Sequence, residues 1–252
     1  MTNHYCDMQN ADVILTIGSN NVENHPVSSK WVQRALDNGA TWIVVDPRYT
    51  RSAEMADIYC PIRSGTDIAF YGGLFNYILE HDLWQHEYVL NYTNASYLLD
   101  EEYSFDVETG IFSGFDKDSA TYDAKTWHYQ VESTKEWDTS EGGAYAWAKA
   151  EGVPEFTPPT VEVPKRDMTL QDPMCVFQQM KKHYSRYDLD TVSATCGMDK
   201  ELLEKVYATY AATGAPDKSG TILYALGQTQ HTYGAQNCRS MGILQLLLGN
   251  VG

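Results

Sequence analysis

Small and polar side chains follow the apolar segments of this sequence. Gly18 and Asn20 follow the run DVILTI, and Asp46 and Arg48 follow the run TWIVV. Glycine lets a ligand approach the backbone closely, and asparagine both donates and accepts hydrogen bonds. A carboxylate at the end of a second strand can accept hydrogen bonds from ribose hydroxyls, and an arginine beside it can pair with a phosphate or stack on a purine. These residue types predict a nucleotide-binding site.

Two further stretches carry similar residues. Gly65 and Asp67 stand where a helix is predicted to begin, so free backbone N–H groups there can bind an anion. The Asp67 carboxylate can accept hydrogen bonds from the donor edge of a guanine. Near the C-terminus, the apolar segment GTILYAL is followed by Gly227 and a polar turn that contains His231. Because ligands of open parallel sheets sit at the carboxyl ends of strands, we expect one cradle for a large nucleotide-bearing cofactor.

Structural roles are open alternatives for the same side chains. Asp46 and Arg48 can form an exposed ion pair in a turn, and Asp67 can simply cap a helix. His25 can be a structural residue before a helix, and His231 can satisfy a turn. The sequence has no G-x-G-x-x-G motif, which disfavours ordinary nicotinamide or flavin binding. The residues alone therefore predict a nucleotide-binding α/β protein and no more specific function.

The segments around these residues predict strands that alternate with helices. Residues 12–17, 41–45 and 58–62 are short apolar runs, typical of buried strands. A helix is predicted over 26–38, where a proline suits the first turn, and another over 67–81. Strands and helices joined by short polar connections predict an α/β fold with Rossmann-like parallel sheets and helices on both faces.

The second half of the chain changes character twice. Residues 96–170 are rich in aromatic and acidic residues without a sustained period, which predicts an irregular insertion. Beyond it, two helices, the strand GTILYALG and a long helix over 234–248 repeat the strand-turn-helix theme. We therefore expect a Rossmann-like lobe over 1–95, then the insertion, and the start of a second α/β lobe over 171–252.

Composition disfavours several kinds of partner. The net charge of −16 and the pI of about 4.7 argue against nucleic acid or anionic lipid as a general partner. The five cysteines are scattered without C-x-x-C spacing, so they indicate neither a metal site nor a disulfide framework. No stretch approaches the roughly 18 apolar residues of a membrane-spanning helix, and the N-terminal residues do not form a signal peptide. We expect no direct membrane insertion.

Four stretches closely resemble one known family. They are MTNHYCDMQNADVILTIGSNNVENHPV, IVVDPRYTRSAEMAD, PIRSGTDIAF and LYALGQTQHTYGAQNCRSMGILQLLLGN. In order and spacing they are similar to the catalytic subunit of membrane-associated respiratory formate dehydrogenases, which are molybdopterin oxidoreductases of the dimethyl sulfoxide reductase type. The resemblance covers nearly the whole chain and is weakest over 130–165.

The resemblance implies a pocket for bis-molybdopterin guanine dinucleotide that carries molybdenum or tungsten. The four stretches would each supply one cofactor-contacting turn, and the second would hold the guanosine end. The residues implied are Gly18, Asn20 and Glu23; Asp46, Arg48 and Thr50; Gly65 and Asp67; and Leu226, Gly227, Thr229 and Gln230. One departure from the family is Gln228, where an aromatic is common, which affects local packing rather than backbone contacts.

The resemblance implies that the residues with the family's redox chemistry lie outside this sequence. The metal ligand, a selenocysteine or cysteine followed by histidine, and the motif for a 4Fe-4S cluster would lie upstream, and an essential arginine would lie downstream. None of the five cysteines matches the ligand position. We therefore expect a central fragment of a larger subunit, inactive alone. Gene-calling that reads a selenocysteine codon as a stop would explain a start at Met1.

The resemblance also implies an activity and partners. The whole subunit would be an oxidoreductase of anaerobic respiration that oxidises formate to CO2 and passes electrons to iron–sulfur clusters, with the chemistry carried by the cofactor. Its partners would be an iron–sulfur beta subunit and a membrane cytochrome b subunit, and its location the periplasm. Two alternatives stay open, a nitrate reductase-like molybdopterin oxidoreductase and a non-catalytic nucleotide-binding module.

Overall fold

The computed structural model describes residues 3–136 and 160–251. The chain divides into two compact units, one of residues 1–93 and 181–252 and the other of residues 94–180. The first unit contains all four predicted ligand-contacting stretches, so the fold that positions the candidate site is the fold of this unit.

A parallel sheet lies at the centre of the first unit. Its strands are β1 (Val13–Ile17), β2 (Thr41–Val45), β3 (Ile58–Cys60) and β8 (Gly220–Tyr224), in the spatial order β3-β2-β1-β8. Each neighbouring pair is parallel. β1 is buried along its whole length because helices pack on the sheet, which explains its continuous apolar run. This arrangement confirms the predicted α/β fold class.

Helices of very different lengths surround the sheet. They are α1 (Asn21–Asn24), α2 (Pro26–Asp37), α3 (Arg51–Met55), α4 (Asp67–Glu80), α5 (His86–Tyr92), α7 (Leu189–Cys196), α8 (Lys200–Ala211), α9 (Leu226–Thr229) and α10 (Gly234–Leu248), while α6 (Val176–Tyr184) begins in the other unit. The helices predicted over 26–38, 67–81 and 234–248 correspond to α2, α4 and α10. Among the described helices, none combines the length and apolarity needed to cross a bilayer.

Trp42 on β2 packs between the sheet and α2. Its side chain is fully buried in an apolar cluster that includes Ile14 of β1 and Val32 of α2. The indole Nε1 donates a hydrogen bond to Thr16 Oγ1 at 2.9 Å. A buried indole N–H without an acceptor would destabilise the fold, so Thr16 is what allows a tryptophan at this position.

Two features of the sheet differ from the sequence-based expectation. β3 ends at Cys60 rather than at residue 62, because Pro61 has no backbone N–H to continue the ladder. β8 was expected in the start of a second lobe, and it instead pairs with β1, with Ile17 opposite Tyr224. The sequence of a strand does not predict which strand will pair with it, and here the partner is distant in sequence.

The second unit contains short antiparallel pairs. β4 (Phe115–Asp116) pairs with β5 (Thr121–Tyr122), and β6 (Val131–Glu136) pairs with β7 (Thr160–Pro164). Aromatic rings pack near the first pair, where the Phe112 and Trp127 ring centroids are 5.8 Å apart. Residues 137–159 of the predicted irregular insertion lie outside the described residues.

Candidate functional site

Gly18 and Gly227 meet at the carboxyl ends of β1 and β8. β2 lies on one side of β1 and β8 on the other, so a crevice opens between the two strand-to-helix connections, as at the switch point of other open sheets. The Gly227 N–H donates a hydrogen bond to the Gly18 carbonyl oxygen at 3.1 Å. A Cβ on Gly227 would lie 2.5 Å from that oxygen, and Gly18 has a φ of +59°. Both positions therefore require glycine.

A cleft of about 350 Å³ opens at this point, a volume within the usual range of small-molecule sites. Its lining residues follow the four strands of the sheet. They are Gly18, Ser19, Asn20 and Asn24; Val45, Asp46, Pro47 and Arg48; Ile62, Ser64 and Asp67; and Ala225, Leu226, Gly227, Gln228 and His231. All four strand ends thus contribute to one site.

Asp46 is the acidic residue of the turn after β2, and it is only 6% exposed. Its Oδ1 accepts a hydrogen bond from the Arg48 backbone N–H at 2.9 Å, which closes the turn. Burial raises the pKa of Asp46 above its ordinary value, and that hydrogen bond and the Arg48 charge oppose the effect. A ligand hydroxyl that donates to this carboxylate would offset the cost of burying it.

The Arg48 guanidinium is exposed and, within the described residues, forms no ion pair. It lines the cleft and also a neighbouring depression. The other residues of this depression are Asn20, Glu23, Tyr49, Thr50, Arg51 and Glu54. Arg51 is already paired with Glu54 at 2.7 Å. Arg48 is therefore the better placed of the two arginines to meet an anionic ligand.

Asn20 ties the turn after β1 to the start of α3. Its Oδ1 accepts hydrogen bonds from the backbone N–H of Ser52 at 3.2 Å and from Ser52 Oγ at 3.0 Å, while its amide donates to Glu23. Thr50 caps α3, because its Oγ1 accepts a hydrogen bond from the Ala53 N–H at 3.2 Å. These contacts fix two walls of the site relative to each other.

Asp67 opens α4, and its carboxylate faces the turn after β8. Oδ1 accepts a hydrogen bond from Gln228 Nε2 at 2.6 Å, and Oδ2 lies 3.9 Å from His231 Nε2. The helix-cap alternative for Asp67 is wrong, since Thr66 occupies the cap position. The turn-satisfying role of His231 is confirmed, since its Nε2 donates to the Gly227 carbonyl oxygen at 2.8 Å.

Most of the residues that the sequence assigned to cofactor contact lie around the cleft or the depression. Three do not line either one: Gly65, Thr229 and Gln230. Gly65, with a φ of +85°, shapes the turn before α4. Thr229 and Gln230 are exposed at the end of α9. Contact with a ligand stays a prediction for the whole set.

Known proteins with similar sequences place the chain in a family. Residues 1–83 match the family described as molybdopterin oxidoreductase. Over 100% of its length, the chain is 52% identical to the formate dehydrogenase subunit alpha of Megalodesulfovibrio gigas. It is 46% identical, again over 100%, to the nitrate-inducible major subunit of Escherichia coli formate dehydrogenase. Residues 1–83 thus belong to the molybdopterin oxidoreductase family, and the whole chain is similar to formate dehydrogenase subunits. It spans 22% of the length of each of these two relatives.

Another similar protein is formate dehydrogenase 2 subunit alpha (cytochrome c-553) of Nitratidesulfovibrio vulgaris, 46% identical over 100% of the chain and 22% of the relative. Among solved structures, acetylene hydratase from Pelobacter acetylenicus is similar, with a TM-score of 0.56 and 21% identity over 95% of this chain and 22% of that chain. At that identity the likeness extends to the fold alone. The named formate dehydrogenases make this an oxidoreductase family.

Part of the wall of the cleft was not predicted from the sequence. Ser19, Asn24, Ile62 and Ser64 line it without having been predicted, and Gln228 was noted only as a departure from the family. Ser19 and Ser64 lie beside residues that were predicted, so a wider window at each strand end would have included them. Asn24 and Ile62 line the cleft because of the course that the backbone takes after each strand. The local sequence pattern does not predict that course.

The cysteines stand apart from the cleft. All five are free, and none lines it. Burial raises the pKa of Cys60 to about 12, so its thiol stays protonated and unreactive at neutral pH. In the part of the chain that the structure describes, no group of three or more His, Cys, Asp or Glu residues could hold a metal ion.

Proposed function

We propose that this chain seats the guanosine end of bis-molybdopterin guanine dinucleotide in the catalytic subunit of a formate dehydrogenase. The observation that carries the proposal is the convergence of four parallel strand ends on one cleft, where Gly18 and Gly227 let two of the turns meet. Similarity of the whole chain to formate dehydrogenase alpha subunits supports formate as the substrate of the whole protein.

The residues of the cleft fit a large anionic nucleotide. A Cβ at Gly18 or Gly227 would clash with the facing turn, so the two glycines let the turns after β1 and β8 meet in the wall of the cleft. The exposed Arg48 guanidinium has the charge and geometry to bind a phosphate. Asp46 would accept hydrogen bonds from ribose hydroxyls, and Asp67 from the N–H groups of guanine. This donor and acceptor set matches guanosine diphosphate.

The bound cofactor, with molybdenum or tungsten, would supply the two-electron oxidation of formate to CO2. The residues of this chain would bind and orient it. Asp46 and Asp67 would hold the nucleoside through hydrogen bonds to their carboxylates, and Arg48 would hold the phosphate end. Ile62 and Leu226 give the wall two apolar side chains that would pack against the bound group. The metal ligand and a 4Fe-4S cluster are assigned to parts of the subunit outside this sequence.

Similarity to multi-subunit relatives suggests the electron path. Proton and electrons would leave separately, the electrons through iron–sulfur clusters of the subunit and of a beta subunit, and then to a membrane cytochrome b or a soluble cytochrome. The relative named for cytochrome c-553 and the nitrate-inducible relative support a periplasmic location. Formate and a nitrate reductase-like substrate are distinguished by the assay below.

The test is a cofactor analysis of the complete subunit that contains this sequence. Purified protein is denatured, and the released pterin, guanine nucleotide and metal are quantified by mass spectrometry, beside formate-dependent dye reduction. We expect guanine nucleotide, pterin and either molybdenum or tungsten together, with formate and not nitrate as the substrate. A folded subunit purified with none of these, or with a different nucleotide, would overturn the proposal.

A further inference from the structure

Gln228 is a polar side chain buried in the wall of the cleft. It is 1% exposed, although it belongs to the four-residue helix α9. Its Nε2 donates to Asp67 Oδ1 at 2.6 Å, and its Oε1 accepts a hydrogen bond from the Tyr71 hydroxyl at 3.3 Å. Its backbone carbonyl accepts from Asn237 Nδ2 at 3.0 Å. The side chain therefore connects the turn after β8 to α4 through two partners, Asp67 and Tyr71.

The amide of Gln228 has one orientation that satisfies its neighbours. The Asp67 carboxylate only accepts hydrogen bonds, so the amide nitrogen must face it. Tyr71 is fully buried, and burial raises its pKa well above the ordinary value, so its hydroxyl stays protonated and donates to Oε1. A flipped amide would place two acceptors against each other. Tyr71 thus selects the orientation in which Gln228 donates to Asp67.

The two carboxylate oxygens of Asp67 have different neighbours. Oδ1 is held by Gln228, while Oδ2 lies on the His231 side of the carboxylate at 3.9 Å. Asp67 lines the cleft and is only 6% exposed, so its carboxylate cannot turn freely without losing the Gln228 hydrogen bond. The acceptor presented to a ligand is therefore fixed in position.

We propose that Gln228 is a positioning residue that sets the base preference of the cleft by fixing the acceptor of Asp67. A fixed carboxylate oxygen favours a base that presents N–H groups at that point. Guanine presents its N1–H and 2-amino group on one edge, whereas adenine presents the N1 acceptor there, which the carboxylate repels. The inference deepens the proposed function and rests on it. Without Gln228, the carboxylate can rotate, and the preference for guanine falls.

The test compares GDP with ADP as probes, by isothermal titration of the 252-residue chain. The two probes carry the same ribose and diphosphate, so the ratio of their Kd values isolates the base. We expect the native chain to prefer GDP by at least about tenfold, the effect of one hydrogen bond to a charged group. Gln228→Met keeps the length of the side chain and removes the donor, and the ratio should fall to below about threefold. Gln236→Met, at an exposed position on α10, is the matched control and should leave the ratio unchanged.

Tyr71→Phe provides a second variant that does not alter Gln228 or the lining of the cleft. It removes only the hydroxyl that orients the Gln228 amide, and the GDP/ADP ratio should fall between those of the native chain and Gln228→Met. A uniform loss of affinity for both probes would indicate a merely structural role and overturn the inference. A GDP/ADP ratio that stays at the native value in both variants would also overturn the inference, but it would leave the proposed function intact. A native chain that binds neither probe would overturn both.

Discussion

The backbone N–H of Gly227 donates a hydrogen bond to the carbonyl oxygen of Gly18 at 3.1 Å. This contact joins the ends of β1 and β8, two strands that are distant in sequence and adjacent in the sheet. Because neither residue has a side chain, the two turns approach closely at the wall of the cleft, where both residues lie. The proposed binding site depends on this approach more than on any single polar side chain.

A methyl group at position 227 should therefore disrupt the site. In Gly227→Ala, the new Cβ would lie 2.5 Å from the Gly18 oxygen, so the turn after β8 must move. We expect a loss of about 1–3 kcal/mol in the free energy of unfolding and at least a tenfold weaker affinity for GDP, or about 1.4 kcal/mol. Urea unfolding and calorimetric titration measure the two effects.

The matched control is Gly242→Ala on α10, where a Cβ would meet no atom within 4 Å. Alanine favours a helix interior over glycine by up to about 1 kcal/mol, so this variant should be equally or more stable and bind GDP normally. Equal GDP affinity in Gly227→Ala and Gly242→Ala would argue against a ligand at the junction of the two turns.

Asp46 should show opposite effects on stability and on binding. Its folded-state pKa is raised by burial, so its ionisation destabilises the fold as pH rises through that pKa. Asp46→Asn should therefore be more stable than the native chain at pH 7, and the difference should shrink as pH falls toward 4. The same variant should bind GDP about tenfold more weakly, because a charged acceptor of ribose hydroxyls is lost.

The control for this charge change is Asp37→Asn, at an exposed position at the end of α2. Its unfolding free energy should follow the native chain between pH 4 and pH 7 within about 0.5 kcal/mol. If Asp46→Asn were less stable than the native chain at pH 7, contacts within the protein would have to stabilise the carboxylate by more than its burial destabilises it. That result would contradict our account.

Arg48 should contribute the salt-dependent part of nucleotide binding. Arg48→Ala removes the exposed guanidinium that we assign to a phosphate, and we expect about a tenfold weaker affinity for GDP at low salt. The difference from the native chain should decrease as ionic strength rises, because salt screens exposed charges. Arg34→Ala, which removes a charge stacked over Trp31 on α2, should change neither the affinity nor its salt dependence.

The Thr16 hydroxyl should stabilise the core independently of any ligand. Thr16→Val keeps the shape of the side chain and removes the acceptor of the buried Trp42 indole N–H. The unsatisfied donor should cost about 1–3 kcal/mol in urea unfolding. Thr16→Ser retains the acceptor and loses only a methyl group, so its cost should be smaller. A larger loss in Thr16→Ser than in Thr16→Val would show that packing, not the hydrogen bond, dominates.

The local elements of the first unit were predictable because their signals are local. Pro26 begins α2, and the apolar runs that end at Ile17 and Val45 match β1 and β2 within a residue. The positions of Gly18 and Asp46 at strand ends were enough to place them at one edge of the sheet. Of the sixteen residues that line the cleft, seven were among the contact residues predicted from the sequence.

What sequence did not predict depends on pairing between distant segments. Nothing in GTILYALG states that this strand joins β1, and the Gly18–Gly227 contact follows only from that pairing. The burial of Gln228 follows in turn, because α4 and the turn after β8 face each other only once the sheet is formed. A departure from a family pattern marked the residue, but its partner could be found only in three dimensions.

The most direct test of the account is a titration of the 15N-labelled chain with GDP, followed by amide NMR. We predict shifts concentrated at the backbone N–H groups of Gly18, Arg48 and Gly227, around the cleft where the four strand ends meet. Amides of the second unit and of Gly242 should not move. Shifts that are absent at saturating GDP, or that cluster away from these turns, would contradict the claim that this cleft binds the nucleotide.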